Sequence, residues 1–253
     1  MKNEATITSV KLEKIKYLAK LLKTPTFVNY EDVIRALGPS DGYEDFLIEI
    51  MRREAEVRRI AGQNRRIHAA KFPFTKSIDE FEVSRLEHVT ESTIRELATC
   101  NFVGNKQNII MIGNPGAGKT HLAIGLGLNA CMAGYKVRFA NATTLANELV
   151  EANSERQLMR VEAGYMGVDL LIVDELSYLT FNRFQSELLY HVLADRSEKA
   201  SVIITTNLAL RDWGQLFENN MMVAALIDRV TYRSHVLDMN TSESYRLRST
   251  LQT

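Results

Sequence analysis

The spacing of apolar and polar residues divides the chain into a helical first part and a second part of alternating strands and helices. In residues 9–23, apolar side chains recur at helical spacing and lysines occupy the opposite face. The same spacing predicts helices at 30–37 and 43–68, after segments that contain Pro and Gly. We therefore predict a small helical N-terminal domain over residues 1–70.

The second part contains short apolar runs that are bounded by turn residues. Such continuous runs are typical of strands in a parallel sheet that is covered by helices on both faces. Helical patterns separate the runs, and two helices fit into residues 142–165. We therefore predict an α/β domain over residues 71–253, a parallel β-sheet flanked by helices. The predicted strands are 108–112, 136–141, 169–173, 201–206 and 236–239.

The composition is that of an ordinary globular protein. Hydrophobic residues make up 45% and charged residues 25% of the 253 residues, and no apolar run is long enough to span a membrane. The N-terminus lacks the apolar core of a signal peptide, so we expect a cytoplasmic protein without a membrane partner.

The charge is distributed unevenly although the net charge is zero. Residues 1–71 contain 14 Lys and Arg against 10 Asp and Glu, which leaves an acidic excess in the remainder. A basic N-terminal part is consistent with contact to a polyanion, and equally with a solvated basic helix surface. Both interpretations stay open at this point.

Six arginines lie in three doublets along the helix predicted at 43–68, so that one arginine of each doublet can share a face. That face would suit the backbone of double-stranded DNA, with little sequence specificity. Alternatively, the interleaved Glu54 and Glu56 could pair with Arg58 and its neighbours on a solvated surface. The candidate DNA contacts are Arg52, Arg53, Arg58, Arg59, Arg65 and Arg66.

The clearest chemical signal follows the predicted strand 108–112, where the chain matches the pattern G-x-x-x-x-G-K-[ST] and continues into a helix. Glycines let backbone N–H groups turn toward phosphates, Lys119 adds a full positive charge, and Thr120 offers a hydroxyl to Mg²⁺. We expect this loop to bind a nucleoside triphosphate. The expected nucleotide contacts are Gly113, Asn114, Pro115, Gly116, Ala117, Gly118, Lys119, Thr120 and His121.

Polar residues end two later strands. Asp174 and Glu175 follow the run 169–173, where the Asp can hold Mg²⁺ and the Glu can orient an attacking water. Asn207 follows the next strand and can bond that water or the γ-phosphate, although a strand-ending turn explains it as well. Arg229 is either a surface arginine or the residue that, in multi-subunit ATPases, reaches a neighbour's site.

The linker that precedes the phosphate loop contains aromatic residues. Phe72, Phe74 and Phe81 lie in the segment before a helix predicted near 90–99. Any of them could pack on a nucleotide base, but burial as a core aromatic is the simpler fate of each one.

From about residue 70 onward, the order of the phosphate loop, Asp174-Glu175, Asn207 and Asp228-Arg229 resembles the AAA+ ATPases of the initiator and helicase-loader group. Further motifs resemble the IstB transposition helpers, which are relatives of the DnaC helicase loaders. These motifs are Phe72-Pro73, His121-Leu122-Ala123, Leu176-Ser177-Tyr178-Leu179, Trp213-Gly214 and Ser244-Tyr245-Arg246-Leu247-Arg248.

The resemblance implies an ATP- and Mg²⁺-dependent homo-oligomer on double-stranded DNA that recruits and activates a partner transposase. It implies that Glu175 is the catalytic base, that Asn207 is a sensor and that Arg229 acts in trans. Arg246 falls where a second sensor would lie, and Arg156 and Arg160 lie in a helical insertion that commonly faces DNA. The C-terminal helical lid is expected to be reduced or absent.

Two alternatives remain. A helicase loader of the DnaC type shares the same ATPase motifs, and its N-terminal domain would differ. A small-molecule kinase could use the same phosphate loop, but Glu175 and Asn207 favour water as the phosphoryl acceptor.

Overall fold

The computed structural model describes four stretches of the chain. Within them, the chain divides into two compact units, Met1–Asn64 and Arg65–Thr253. None of the helices in these stretches combines the length and the apolar character that crossing a bilayer requires. The stretches are residues 2–38, 42–176, 181–217 and 220–241.

The first unit is helical, as the sequence predicts. A short 3₁₀ turn connects the first two helices, and few side chains are fully buried, among them Ala19, Val33 and Ile50. Glu54 is also buried, and it accepts a hydrogen bond from the backbone N–H of Thr26 at 3.2 Å. The helices are α1 (Lys2–Leu22), α2 (Tyr30–Ala36) and α3 (Tyr43–Ala70), the last of which continues into the second unit.

The second unit is a five-stranded parallel sheet with the order β2-β3-β4-β1-β5 and helices on both faces. All five predicted strands are present, and their bounds differ from the predicted ones by at most two residues. The strands are β1 (Asn108–Ile112), β2 (Val137–Asn141), β3 (Leu170–Asp174), β4 (Ser201–Thr206) and β5 (Ser234–Asp238). The helices are α4 (Glu91–Ala98), α5 (Asn101–Gly104), α6 (Lys119–Ala133), α7 (Ala142–Ser154), α8 (Leu158–Met166), α9 (Arg183–Lys199) and α10 (Asn220–Thr231).

The sheet is buried on both faces, which explains the continuous apolar runs of its central strands. Ile109 and Met111 of β1 pack into one core with Leu122 of α6, whereas Ile110 packs into the opposite core with Leu145 of α7. Helix α6, after β1, therefore covers one face, and helices α7 to α10 cover the other. In such sheets, ligands bind at the carboxyl ends of the strands where the connections diverge, here between β1 and β4.

Helix α9 connects the parallel strands β3 and β4, and the apolar pattern did not reveal it. Its buried side includes Ser186, Arg196 and Ser197 among the leucines, so the apolar stripe is interrupted. Arg196 is fully buried and donates hydrogen bonds to the carbonyl oxygens of Val168 at 2.5 Å and Ser201 at 3.1 Å. A charged side chain on the core side of this helix thus fixes the starts of β3 and β4.

Candidate active site

The phosphate loop joins β1 to the first turn of α6 and lines a cleft at the carboxyl edge of the sheet. Gly116 and Gly118 have φ values of +83° and +86°, a left-handed conformation that glycine adopts without strain. Gly118 also lies against an aromatic ring, because a Cβ at this position would fall 2.8 Å from a ring carbon of Phe81. The loop therefore has the tight turn and the helix N-terminus that a phosphate site requires.

Lys119 is largely buried at the start of α6 and points back into the loop. Its Nζ donates hydrogen bonds to the carbonyl oxygens of Gly113 at 2.7 Å and Asn114 at 2.9 Å. These bonds hold a full positive charge at the inner side of the loop, where phosphate oxygens would meet it.

Asp174 lies at the centre of the site, at the end of β3. The hydroxyl of Thr120 donates to its two carboxylate oxygens at 2.9 and 3.1 Å, and the hydroxyl of Thr205 donates to Oδ1 at 2.5 Å. The carboxylate thus joins α6, β3 and β4. The two hydroxyl groups satisfy a side chain that is only 5% exposed.

Burial and the neighbouring hydroxyl groups have opposing effects on the pKa of Asp174. Burial raises the pKa of this carboxyl, the neighbouring Glu175 raises it further, and the hydroxyls of Thr205 and Thr120 together with Lys119 counteract the rise. A carboxylate and a hydroxyl are oxygen ligands of the kind that Mg²⁺ uses with few protein groups and several waters. Asp174 and Thr120 supply one of each, and the described residues contain no cluster of three or more His, Cys, Asp or Glu with metal-site geometry.

Glu175 follows Asp174 in a left-handed backbone conformation, with φ of +60°. Its N–H donates to Thr205 Oγ1 at 2.9 Å, and its carboxylate lines the cleft. Asn141, the last residue of β2, donates from Nδ2 to Glu175 Oε2 at 2.9 Å, while its Oδ1 caps α7 through the N–H of Thr143. Sequence reasoning missed Asn141, although its strand-end position opposite Asp174 was a usable signal.

Asn207 and the aromatic segment complete the cleft, whose volume is about 320 Å³. Asn207 follows β4 and lines the cleft together with Glu175 and the phosphate loop. On the remaining side, Phe74 and Phe81 are both among the lining residues, whereas Phe72 packs on Phe139 in the core with ring centroids 6.3 Å apart.

His121 joins the aromatic segment to the loop. Its Nε2 lies 2.9 Å from the carbonyl oxygen of Ser77, and its ring meets Phe81 edge-on at 5.5 Å. His121 therefore lines the cleft and also holds the ring of Phe81 at its wall.

Arg229 lies on α10 and contacts α9. Its guanidinium forms an ion pair with Glu198 at 3.4 Å and lies 5.8 Å from the ring centroid of Tyr190. Both contacts join residues that are distant in the sequence, so they are findings of the structure. Among the residues that the structure describes, Arg229 does not line the cleft, and Arg246 lies outside the described residues.

Most of the α3 arginines have acidic or backbone partners. Helical pairs one turn apart join Arg52 and Arg53 to Glu49 at 2.9 Å, Arg58 to Glu54 at 2.7 Å and Arg59 to Glu56 at 2.6 Å. Arg58 also donates to the carbonyl oxygen of Lys23, and Arg66 donates to that of Cys131. The pairing that the sequence offered as an alternative to DNA contact is therefore present.

Three candidate arginines differ from this group. Arg65, Arg156 and Arg160 are exposed, and none of them forms an ion pair with another described residue. Arg156 has φ of +59° at the turn between α7 and α8, and Arg160 follows on α8. These three guanidinium groups are therefore accessible to a partner.

The chain is similar to known ATP-binding proteins. A putative ATP-binding protein of insertion sequence IS21 from Pseudomonas aeruginosa is 36% identical over 206 residues, covering 81% of this chain and 77% of the relative. The structure is similar to AMPPCP-bound DnaA from Aquifex aeolicus, with a TM-score of 0.58 and 17% identity over 72% of this chain and 55% of that chain.

A crystal structure of the DnaC helicase loader is also similar, with a TM-score of 0.50 and 17% identity over 66% of this chain and 96% of that chain. These structural similarities are evidence of the fold, which is that of the AAA+ ATPases. The sequence profile of the IstB-like ATP binding proteins matches residues 19–253, which is nearly the whole chain. The chain therefore belongs to the IstB-like ATP binding protein family.

Proposed function

We propose that this protein is an ATP-hydrolysing transposition helper that assembles as a homo-oligomer on double-stranded DNA and recruits and activates a partner transposase. The observation that carries the proposal is the meeting of Lys119, Thr120, Asp174, Glu175 and Asn207 around one cleft. The transposition context is supported by the relative of IS21, which is an insertion sequence protein.

The contacts in the cleft suggest a role for each side chain. Lys119 binds the β- and γ-phosphates, and Thr120 with Asp174 would hold Mg²⁺, which would partly neutralise the phosphate charge. Glu175 accepts a proton from the attacking water, and Asn207 bonds that water or the γ-phosphate. Because two polar side chains face the γ-phosphate end, water is a better acceptor than a metabolite hydroxyl, which would require a pocket of its own.

The base of the nucleotide would lie at the aromatic wall. Phe81 is fixed by His121 and by the close approach of Gly118, whereas Phe74 is 45% exposed. Phe81 is therefore the better base contact of the two, since an ordered ring loses less freedom on binding.

Arg229 fits a role in a neighbouring subunit better than a role in its own. Its ion pair with Glu198 is partly exposed, so it costs little to exchange for a phosphate partner. If Arg229 completes the adjacent site, hydrolysis requires the oligomer.

DNA contact would involve the N-terminal helical domain of residues 1–70 and the turn between α7 and α8, outside the ATPase cleft of residues 71–253. Arg65, Arg156 and Arg160 are the stronger candidates because their charges are not paired within the described chain. Arg52, Arg53 and Arg59 could exchange exposed glutamate partners for phosphates, whereas Arg58 and Arg66 also hold backbone carbonyl oxygens.

Loading of a replicative helicase is the second candidate function, because the fold is shared with a DnaC helicase loader. It predicts a preference for single-stranded DNA and a stable complex with a helicase. Affinity capture with a purified transposase and a purified helicase separates the two functions, and capture of the helicase alone would reject the transposition role.

The separate roles proposed for Lys119 in nucleotide binding and for Glu175 in hydrolysis are tested by replacing each residue in turn. Lys119→Ala removes the charge on the phosphates, so nucleotide affinity should fall at least tenfold. Glu175→Gln keeps the shape and should leave affinity within about threefold while hydrolysis falls at least 100-fold. Equilibrium binding of a fluorescent ATP analogue and release of free phosphate measure the two effects, and a comparable loss of binding in both variants contradicts these separate roles.

The contact between Asn141 and Glu175 predicts that a variant without this contact hydrolyses ATP faster than the wild type. Strand β2 lies on the far side of β3 from β4 and β1, so Asn141 holds the carboxylate away from the phosphate loop. Asn141→Ser retains a cap for α7 but cannot reach Glu175, so basal kcat should rise severalfold with unchanged nucleotide affinity. Asn153→Ser, an exposed change in α7, the helix that Asn141 caps, is the matched control. A kcat that is unchanged or reduced would show that Asn141 does not restrain Glu175.

The arginine candidates predict a salt-dependent loss of DNA binding. Replacing Arg65, Arg156 and Arg160 with Gln should weaken binding of a 50-base-pair duplex, and it should reduce the slope of log affinity against log salt by about one per lost phosphate contact. Arg95→Gln, which removes an exposed arginine paired with Glu91, is the control. Equal slopes for the triple variant and the wild type, measured by fluorescence anisotropy, would exclude these residues from the interface.

A further inference from the structure

The last residue of β5 and the three residues after it, Asp238–Thr241, lie directly against the phosphate loop. The N–H of Met239 donates to the carbonyl oxygen of Ile112 at 2.6 Å. A Cβ at Gly113 would fall 2.7 Å from the carbonyl carbon and oxygen of Met239. The two backbones therefore touch without a side chain between them, and a displacement of one must displace the other.

Asn114, the second residue of the loop, forms three hydrogen bonds with this segment. Its Nδ2 donates to the carbonyl oxygen of Thr241 at 2.6 Å, and its Oδ1 accepts from the N–H of Thr241 at 3.3 Å. Its own N–H donates to Oδ1 of Asn240 at 3.0 Å. Asn240 is itself fixed by Asp238, whose Oδ1 accepts from its N–H and its Nδ2.

The same residue also contacts the phosphate-binding lysine. The carbonyl oxygen of Asn114 accepts from Lys119 Nζ at 2.9 Å, and Thr241 is one of the residues that line the cleft. Both polar atoms of the Asn114 amide bond Thr241, so the side chain faces the C-terminal segment and its backbone carbonyl faces Lys119. Asn114 is thus the connection between the phosphate charge and the chain after β5.

We propose that Asn114 is a positioning residue that couples the phosphate loop to the segment Asp238–Thr241, so that nucleotide binding and the position of this segment depend on each other. When phosphate oxygens bind Lys119, they replace its bonds to the loop carbonyls, and the loop settles against the segment through Asn114. By linkage, a partner that binds this segment and changes nucleotide affinity by some factor has its own affinity changed by the same factor when the nucleotide binds. The inference rests on nucleotide binding in the proposed cleft, and it is independent of DNA and the transposase.

Asn114→Ala tests the coupling because it removes both side-chain bonds to Thr241 and leaves the backbone contact with Lys119. We expect the Kd and the KM for MgATP to rise about three- to tenfold, with kcat within about twofold of the wild type. In the wild type, an ATP analogue should slow hydrogen exchange of the Thr241 amide. In Asn114→Ala this response should be lost, while the Gln157 amide, bonded to Ala152 between α7 and α8, serves as an internal reference.

Two further variants complete the experiment. Asn240→Ala removes the side-chain oxygen that accepts from the Asn114 N–H, and it should raise the Kd for MgATP, as Asn114→Ala does. Asn105→Ala, an exposed change at the end of α5, should leave both measurements unchanged. If Asn114→Ala does not fold, as judged by circular dichroism, Asn240→Ala with the same two measurements decides.

Wild-type nucleotide affinity in both Asn114→Ala and Asn240→Ala would overturn the coupling. So would weaker binding in Asn114→Ala with an intact exchange response at Thr241, because the side chain would then act on the nucleotide directly. Failure of the wild type to bind ATP would instead contradict the proposed function, so the two failures are distinguishable.

Discussion

The site depends on the hydrogen bonds that Thr120 and Thr205 donate to the buried carboxylate of Asp174. Burial makes an ionised carboxylate costly, as the raised pKa of Asp174 indicates, and the two hydroxyls offset part of that cost. In return, the carboxylate fixes the start of α6 relative to the ends of β3 and β4. Through this group, the residue that ends the phosphate loop is joined to the strand-end residues of β3 and β4.

Neighbours outside the recognisable motifs hold the remaining reactive groups. Glu175 is bonded to Asn141 on an outer strand, and Asn114 of the loop is bonded to the chain after β5. Each contact links a group in the cleft to an element that could respond to a partner. These two contacts reach the cleft from opposite edges of the sheet, from β2 on the side of Glu175 and from β5 on the side of the loop.

Local patterns explain how much the sequence could predict. The strands were predicted because each is a continuous apolar run buried on both faces, and the phosphate loop because its residues are contiguous. Helix α9 was missed because Arg196 and two serines interrupt its buried stripe. The pair Arg229–Glu198 and the bond between Asn141 and Glu175 join residues about 30 positions apart, so they depend on the tertiary packing of whole elements. The pairing of the α3 arginines, in contrast, follows from helical spacing alone.

The most direct test is the Mg²⁺ dependence of nucleotide binding in the wild type and in Asp174→Asn, which keeps the shape and an acceptor for the two hydroxyls. Calorimetric titration of each protein with a non-hydrolysable ATP analogue, with and without Mg²⁺, gives four affinities. We predict that Mg²⁺ strengthens binding to the wild type at least tenfold, with an effect on Asp174→Asn that is at least five times smaller. The same Mg²⁺ effect in both proteins would contradict the central role of Asp174.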